Sequence, residues 1–566
     1  MKHKPLPVGV ENFEMLVTRG YYFIDKTWFI KELLDKKGAV NLFTRPRRFG
    51  KTLNMSMLRY FFEDEREQDG SKKDNSALFG GLAIKDAGEA YLSHMGKYPV
   101  ISLTLKEARQ ADFQKSYKLL AYEIAKEYNR HSFVCKGDHL ELHEKEKFQR
   151  IMEWKGDEND HLSALQFLCH CLKKYYGKKA ILLIDEYDVP LENAFFNGFY
   201  EEMVDFLRGF FGAALKTNDS LEFAVITGCL RISKESIFTG LNNLKIISIL
   251  NHQYDEYFGF TNEEVKKLCA DYHMPQKFDL IQDWYNGYLF GNSNVYNPWS
   301  VIQFVDDLKE NPEQSPSSYW ANTSSNSIVR SLIERADDET KAEIEALIEG
   351  KTVEKPIHED ITYGEMYDSM DNLWNFMFFT GYFRKIRQWM DGEDHQFAEL
   401  SIPNREVKYI FRRKILTWFD EKIRERDLSG LHTALLNLEA ETFEEELSDL
   451  LQETISFNDA QESFYHGFMA GALSKMKGYV TRSNRESGRG RSDLILRPVT
   501  RRKAAFVLEF KIAKKFSQLE EKAAEALRQI EEKQYEQELN NDGYAVVHKY
   551  GIAFFGKDCL VRLGEK

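Results

Sequence analysis

The sequence predicts a multidomain α/β protein, and three observations carry that prediction. Its 566 residues exceed the roughly 250–300 at which a single hydrophobic core stops growing, so several domains are required. In the first half, the apolar runs AVNLFT, YPVISLTL, AILLID and LEFAVITG alternate with amphipathic stretches, the pattern of buried parallel strands joined by crossover helices. Beyond residue 456 a separate α/β pattern begins, with a helix around ESFYHGFMAGALSKMK, strands around SDLILRP, AAFVLEFKI and YGIAFFG, and a charged helix FSQLEEKAAEALRQIEEKQYEQEL between the last two.

The expected organisation is a parallel-sheet domain over 1–253, a smaller helical lid over 254–345, a helical connector over 346–455 and a second α/β domain over 456–566. The lid expectation rests on aromatic-rich helical segments such as DWYNGYLFGNSNVYNPWS, where Asn297 and Pro298 suit a helix N-cap and first position. The connector expectation rests on Glu, Leu, Lys and Arg at helical spacing, clearest in SLIERADDETKAEIEALIEG. With 43% hydrophobic and 30% charged residues the chain is not mainly disordered. No apolar run approaches the ~20 residues of a membrane span, and the opening MKHKPLPVGVENFEM lacks the apolar core of a secretory signal. A cytoplasmic protein without a membrane partner is expected. The six cysteines form no CxxC pair, and Cys169 and Cys171 flank His170 on a helix where they point to different faces, so reduced, packed thiols are expected.

AVNLFTRPRRFGKTLNMSMLRYFF runs from a strand through a short loop into an amphipathic helix. That is the setting of a phosphate-binding loop, whose backbone N–H groups and helix N-terminus cradle phosphate while a lysine neutralises it and a hydroxyl meets Mg²⁺. Gly50, Lys51 and Thr52 fit the G-K-T end; Arg45 stands where the leading glycine is usual, and Pro46 removes one N–H donor. Arg48, Gly50, Lys51 and Thr52 are thus candidate ATP ligands. AILLIDEY supplies the second half, an apolar strand ending in acids: Asp185 to hold Mg²⁺ together with Thr52, and Glu186 to polarise an attacking water. EFAVITG ends at Thr227, placed to sense a terminal phosphate, and Arg231 lies just beyond, within reach of phosphate or of an acid. P-loop proteins often assemble into homo-oligomers in which a neighbour's arginine completes the site, and Arg231 is a candidate for that too. In YFIDKT at 22–27, aromatic packing near adenine competes with a plainer reading in which Asp25 or Thr27 caps a helix and Phe23 joins the core.

Near the C-terminus, Glu509 and Lys511 stand two apart on one strand and project from the same face. Asp493 opens the strand sixteen residues earlier, so a hairpin would bring its carboxylate beside Glu509. Two acids would hold Mg²⁺, which activates water at a scissile phosphate, with lysine orienting the nucleophile or offsetting charge. Glu462 on the preceding helix is a further candidate metal ligand; Gln529 and Tyr535 either face the site or belong to an exposed helix. Residues 482–515 contain eleven Lys or Arg against three acids in a chain of net charge −13. The basic SGRGR at 487–491 suits contact with a nucleic-acid backbone, DNA ahead of RNA, rather than with base edges. The plainer alternative is a strand bearing a solvated ladder of opposite charges.

Together, TRPRRFGKT, LLIDEYD and ITGCLRISKESIFTGLNN resemble the AAA-ATPase-like family of prokaryotic proteins, and GRGRSDLIL with VLEFK is similar to the PD-(D/E)xK nuclease domain fused behind it. YNGY at 285–288 and YNP at 296–298 resemble the family's region after the ATPase core. The resemblance implies an AAA/STAND-like P-loop NTPase sheet domain, a winged-helix-like lid and a restriction-endonuclease-like α/β domain with Asp493, Glu509 and Lys511 catalytic. Ser492 stands in place of the motif's proline. The resulting expectation is an ATPase regulating a Mg²⁺-dependent nuclease. The competing reading is a nucleotide-dependent switch or scaffold that binds nucleic acid or a protein partner without cleaving it.

Overall fold

The computed structural model describes residues 3–67, 69–231, 237–238, 241–320, 327–452, 462–487 and 490–564, with backbone alone for 327, 416, 419–420, 422–425, 462–464, 483–487, 490–492 and 538. The chain divides into two compact units. The first comprises Met1–Ser325 and Glu354–Tyr409, the second Asn326–Val353 and Ile410–Lys566.

Unit one is organised by strands β1 (Val40–Thr44), β2 (Val100–Thr104), β3 (Ala180–Asp185), β4 (Leu221–Gly228) and β5 (Leu244–Ile247). They form a parallel sheet in the order β2-β3-β4-β1-β5. The four runs singled out by their apolar continuity are β1 to β4, and every residue of β1 and β3 is buried. The fifth strand was missed: LKII is four residues long, lies at a sheet edge and buries only its last residue fully. Because β4 separates β1 from β3, the phosphate loop and the acidic strand tip face each other across the C-terminal end of β4. Ligands in open α/β sheets bind at that end.

After the sheet come helices Asn262–Asp271, Phe278–Tyr285 and Pro298–Glu310 and the antiparallel hairpin of β6 (Tyr288–Phe290) and β7 (Ser293–Val295). Val265, Leu268, Tyr285, Val301 and Phe304 share one apolar core with Leu6 near the N-terminus. Asn297 accepts hydrogen bonds from the N–H groups of Trp299 and Ser300, with Pro298 at the first helical position, so the Asn-Pro pair starts this helix as its chemistry dictates. Residues 346–455, expected as helical throughout, also carry β8 (Val353–Pro356), β9 (Arg384–Met390) and β10 (Gln396–Ser401) in one sheet, ordered β8-β10-β9. β9 is largely exposed and rich in Arg and Lys, so it carries no apolar period by which a strand would be recognised.

Glu406 is fully buried in this unit, its carboxylate accepting from the Ser300 hydroxyl at 3.0 and 2.8 Å and from the Trp320 N–H at 2.8 Å. Burial outweighs these bonds and raises its pKa from 4.5 to about 7. A folded-state pKa above the unfolded value means that the native state holds the proton more tightly. Its contribution to stability is therefore fully present below about pH 4.5 and is lost as pH rises through about 7, by roughly 3 kcal/mol. Glu406→Gln is expected to flatten that part of the profile and to be more stable than the native chain at pH 8, as read by urea unfolding at pH 5 and pH 8.

Unit two is built on β11 (Tyr479–Ser487), β12 (Gly490–Pro498), β13 (Ala505–Ile512), β14 (Val547–Phe555) and β15 (Asp558–Leu563), in that spatial order. Neighbours are antiparallel except β13 and β14, which are parallel and connected through helix Leu519–Lys533. This helix seats on the sheet through Gly551. A Cβ there would lie 2.4 Å from the Ala523 carbonyl oxygen and 2.8 Å from Leu527 Cγ, and backbone cannot yield as a side-chain tip can. Gly551→Ala is expected to push the helix outward at a cost of about 1–3 kcal/mol, measurable as a lower urea midpoint.

Candidate functional site

The phosphate loop spans the turn between β1 and helix Lys51–Phe62. Gly50 takes a left-handed backbone with φ +79°, which glycine adopts without steric cost, and the helix begins at Lys51 with its first-turn N–H groups lacking intrahelical acceptors. Lys51 is buried, and its ammonium donates to the carbonyls of Arg45 at 2.8 Å and Pro46 at 2.9 Å. It is thereby folded beneath the loop, where phosphate oxygens would replace those carbonyls. Arg45, which displaces the leading glycine, turns inward: it is 0% exposed, donates to the carbonyls of Thr44 and Ile247 at 2.9 Å each, and lies over the rings of Phe258 and Phe290. Burial lowers its pKa to about 9, so it stays cationic at neutral pH, stabilised by carbonyl dipoles. Its side chain ties the base of the loop to the end of β5.

The acids expected at the tip of β3 meet the loop. Asp185 accepts from the Thr52 hydroxyl at 2.7 Å and from the Thr227 hydroxyl, so Thr52, Asp185 and Thr227 form one chain of oxygens across three elements. Such a set suits a hard divalent cation. Glu186 follows with a left-handed backbone, φ +54°, a conformation costing a non-glycine residue about 1–2 kcal/mol. Burial, then the neighbouring Asp185 carboxylate, raises its pKa, the direction a general base would need. Tyr187 and Asp188 were not singled out from the sequence, yet they fix the opposite strand: the Tyr187 hydroxyl donates to the Leu230 carbonyl at 2.7 Å, and Asp188 accepts from the N–H groups of Cys229 and Leu230. The signal lay in the completed run LIDEYD, whose last acid follows an aromatic residue rather than a turn former.

Beside these groups lies a cleft of about 410 Å³, lined by Lys51, Thr52 and Glu186, with Phe23 and Ile24 from the N-terminal segment and Trp299 from helix Pro298–Glu310, a size ordinary for a small-molecule site. Arg48, also left-handed at φ +69°, lies 4.3 Å from the Trp299 ring centre and 3.7 Å from Glu11, joining the loop to helix Pro298–Glu310 by a cation–π contact. Of the 22–27 segment, Asp25 accepts from the N–H groups of Thr27 and Ala83, so its carboxylate is structural while Phe23 reaches the cleft wall. Of the two alternatives for Arg231, phosphate or an acid, the structure shows the acid. Its guanidinium pairs with Glu359 at 3.5 Å and Asp360 at 3.1 Å, and it is not among the cleft-lining residues. The two carboxylates capture it because residues 354–409 return to unit one, which sequence order does not reveal.

The second cluster forms on β12 and β13. Their antiparallel register pairs Leu494 with Leu508, which sets Asp493 beside Glu509. Both are buried, at 8% and 1% exposure. Asp493 accepts from the Phe510 N–H at 2.8 Å, and the Asp493 N–H donates to Glu509 at 3.3 Å. Lys511 stands 3.7 Å from Glu509 and donates to Gln529 Oε1 at 2.6 Å, while the Gln529 amide donates to Glu509 and to Tyr535 at 3.2 Å. Of the two alternatives for Gln529 and Tyr535, the one in which they face the site holds. His466 adds a ring nitrogen 2.6 Å from the Asp493 carbonyl, a contact with no local sequence signal. Two adjacent buried carboxylates with one lysine are an oxygen-rich site with room in its charge balance for a divalent ion. Among the described residues no group of three or more His, Cys, Asp or Glu forms a ready metal cluster, so further ligands would be water, backbone or substrate. The side chains of Glu462, Ser487 and Arg491, and all of Gly488 and Arg489 in the basic SGRGR, lie outside the described residues.

With both sites in place, the comparisons with known proteins fall into line. Residues 7–238 match the family model described as a predicted AAA-ATPase, and residues 460–562 match that of the PD-(D/E)XK nuclease superfamily. The two matches carry the architecture expected from the motifs: an AAA-ATPase-like parallel-sheet domain in front and a PD-(D/E)XK-like mixed-sheet domain behind. The chain is also 26% identical over 325 residues to an uncharacterized protein in the vnfD 5' region of Azotobacter chroococcum mcd 1, an alignment covering 57% of this chain and 55% of that protein. The chain thus spans about half the length of that relative. No solved structure matches it. Among the described residues no helix is long and apolar enough to cross a membrane.

Proposed function

We propose that the chain is an ATP-binding switch, with ATPase activity at the Asp185–Glu186 tip, that regulates a Mg²⁺-dependent nuclease acting on phosphodiester bonds in DNA. The observation that carries the nuclease half is the convergence of Asp493, Glu509, Lys511 and Gln529 at one buried point from two strands and a helix. In this reading Asp493 and Glu509 hold the metal, and Lys511, oriented by Gln529, faces the reacting phosphate. Bound Mg²⁺ would supply a nucleophilic water and charge stabilisation. The nucleotide half is supported by the Thr52–Asp185–Thr227 chain beside Lys51 and by the raised pKa of Glu186.

The test is cleavage of single- and double-stranded DNA by the purified protein in Mg²⁺ or Mn²⁺, with and without ATP. Metal-dependent cleavage whose rate changes with ATP is expected. Salt-sensitive DNA binding with no cleavage in either metal would instead establish a non-catalytic switch or scaffold.

A further inference from the structure

Two arginines on the cleft wall remain to be accounted for: Arg47 in the phosphate loop and Arg109 in the loop that follows β2. Both turn to one carboxylate. Arg47 is hydrogen-bonded to Glu192 Oε2, and Arg109 Nη2 lies 3.6 Å from the same oxygen. Glu192 stands on the first turn of helix Val189–Asn197, which follows directly from the acidic tip of β3. The side chains are 27%, 51% and 21% exposed for Arg47, Arg109 and Glu192, so the cluster is half-withdrawn from water and carries one positive charge in excess.

We propose that Arg47 and Arg109 form a clamp, within a single chain, for the terminal phosphate of a bound nucleoside triphosphate, and that Glu192 is the counter-ion that parks them when that phosphate is absent. The inference rests on the nucleotide reading of the cleft. Lys51 reaches the carbonyls of Arg45 and Pro46, which places its ammonium under the stretch that bears Arg47. Thr52 and Asp185 mark where a phosphate-bound cation would sit, and Glu192, seven residues beyond Asp185, pairs with both arginines. Arg47 and Arg109 thus share one cleft with Lys51, Thr52 and Glu186, and in this reading they receive the last phosphate.

Guanidinium forks match phosphate oxygens in two-point contacts, and two of them sharing one carboxylate leave donors to spare. A diphosphate would leave this cluster undisturbed, whereas a triphosphate brings a third phosphate group into competition with Glu192. Arg231 does not serve here, because Glu359 and Asp360 already hold it outside the cleft wall.

Titration calorimetry of the full chain with ADP and with a non-hydrolysable ATP analogue, both with Mg²⁺, tests the proposal. Arg47→Ala and Arg109→Ala are each expected to weaken the triphosphate analogue about ten-fold or more, as loss of a charge-assisted contact does, while ADP affinity stays within about two-fold. Retained ADP binding is each variant's own proof of folding, and Arg47→Lys, which keeps the charge without the fork, is expected to fall between. Glu192→Gln is expected to tighten the triphosphate analogue relative to ADP, an effect a merely structural acid would not produce. Equal losses for both nucleotides, or none, would overturn the clamp while leaving the nucleotide reading intact. Native protein that binds neither nucleotide would instead sink the nucleotide reading itself. Recovery of triphosphate preference on mixing Arg47→Ala with excess Lys51→Ala chains would show the arginine acting on a neighbour and overturn the single-chain clamp.

Discussion

Replacing Glu509 with alanine is expected to lower metal-dependent cleavage about a thousand-fold or more, the scale on which loss of a principal electrostatic group at a reacting centre is felt. Glu509 is 1% exposed and accepts from Gln529 and from the Asp493 N–H. Its removal strips the candidate metal of one of two acids and leaves the Gln529 amide and Lys511 without their carboxylate. Glu509→Gln separates these effects, since it preserves shape and an acceptor but not charge: cleavage should remain lost while the urea midpoint stays near native. Lys511→Ala should cost less, about a hundred-fold, because both acids survive, and metal affinity measured by calorimetry should be retained. Single-turnover cleavage of end-labelled DNA reads all three, and native-like rates in Glu509→Ala would place the chemistry elsewhere.

The second large effect is expected at Lys51. Lys51→Ala should weaken both ADP and ATP by about a hundred-fold, because a buried ammonium poised under the loop delivers a charge-assisted contact without prior ordering. The alanine leaves the carbonyls of Arg45 and Pro46 facing a cleft that water can enter, so the fold should survive with little change in melting temperature. Unaltered nucleotide affinity in this variant would remove the phosphate-loop assignment, whatever the outcome at Glu509.

What could be read from the sequence followed the length and purity of each signal. Continuous apolar runs declared β1 to β4, and the sixteen-residue spacing from Asp493 to Glu509 made a hairpin site legible because strand alternation decides which side chains share a face. Short or charged strands were not legible: LKII in β5 is too brief, and RKIRQWM in β9 buries Lys385 while exposing Ile386 and Met390. Around the loop, Gly50, Lys51, Thr52, Asp185 and Thr227 were brought together because their roles attach to strand tips and a helix start, which are local features. Which partner Arg231 takes was left open because its carboxylates arrive from about 130 residues later, and Glu192 stayed invisible because an ion pair between a helix and two loops has no period. Gln529 was ambiguous for a related reason: helix Leu519–Lys533 is polar over most of its surface, and only its seat on Gly551 shows which polar face looks inward.

The sheet order also bears on how this protein comes into being. β1, which precedes the phosphate loop, is flanked by β4 and β5, whose residues are made some 180 to 200 positions later. During synthesis the loop must therefore wait, without its strand neighbours, until nearly half the polypeptide has left the ribosome, and such distant pairings close slowly. A fragment trimmed at residue 238 would end before β5 and leave the guanidinium of Arg45 without the Ile247 carbonyl. Expression of the front half is accordingly expected to yield soluble material only when the cut falls beyond that edge strand.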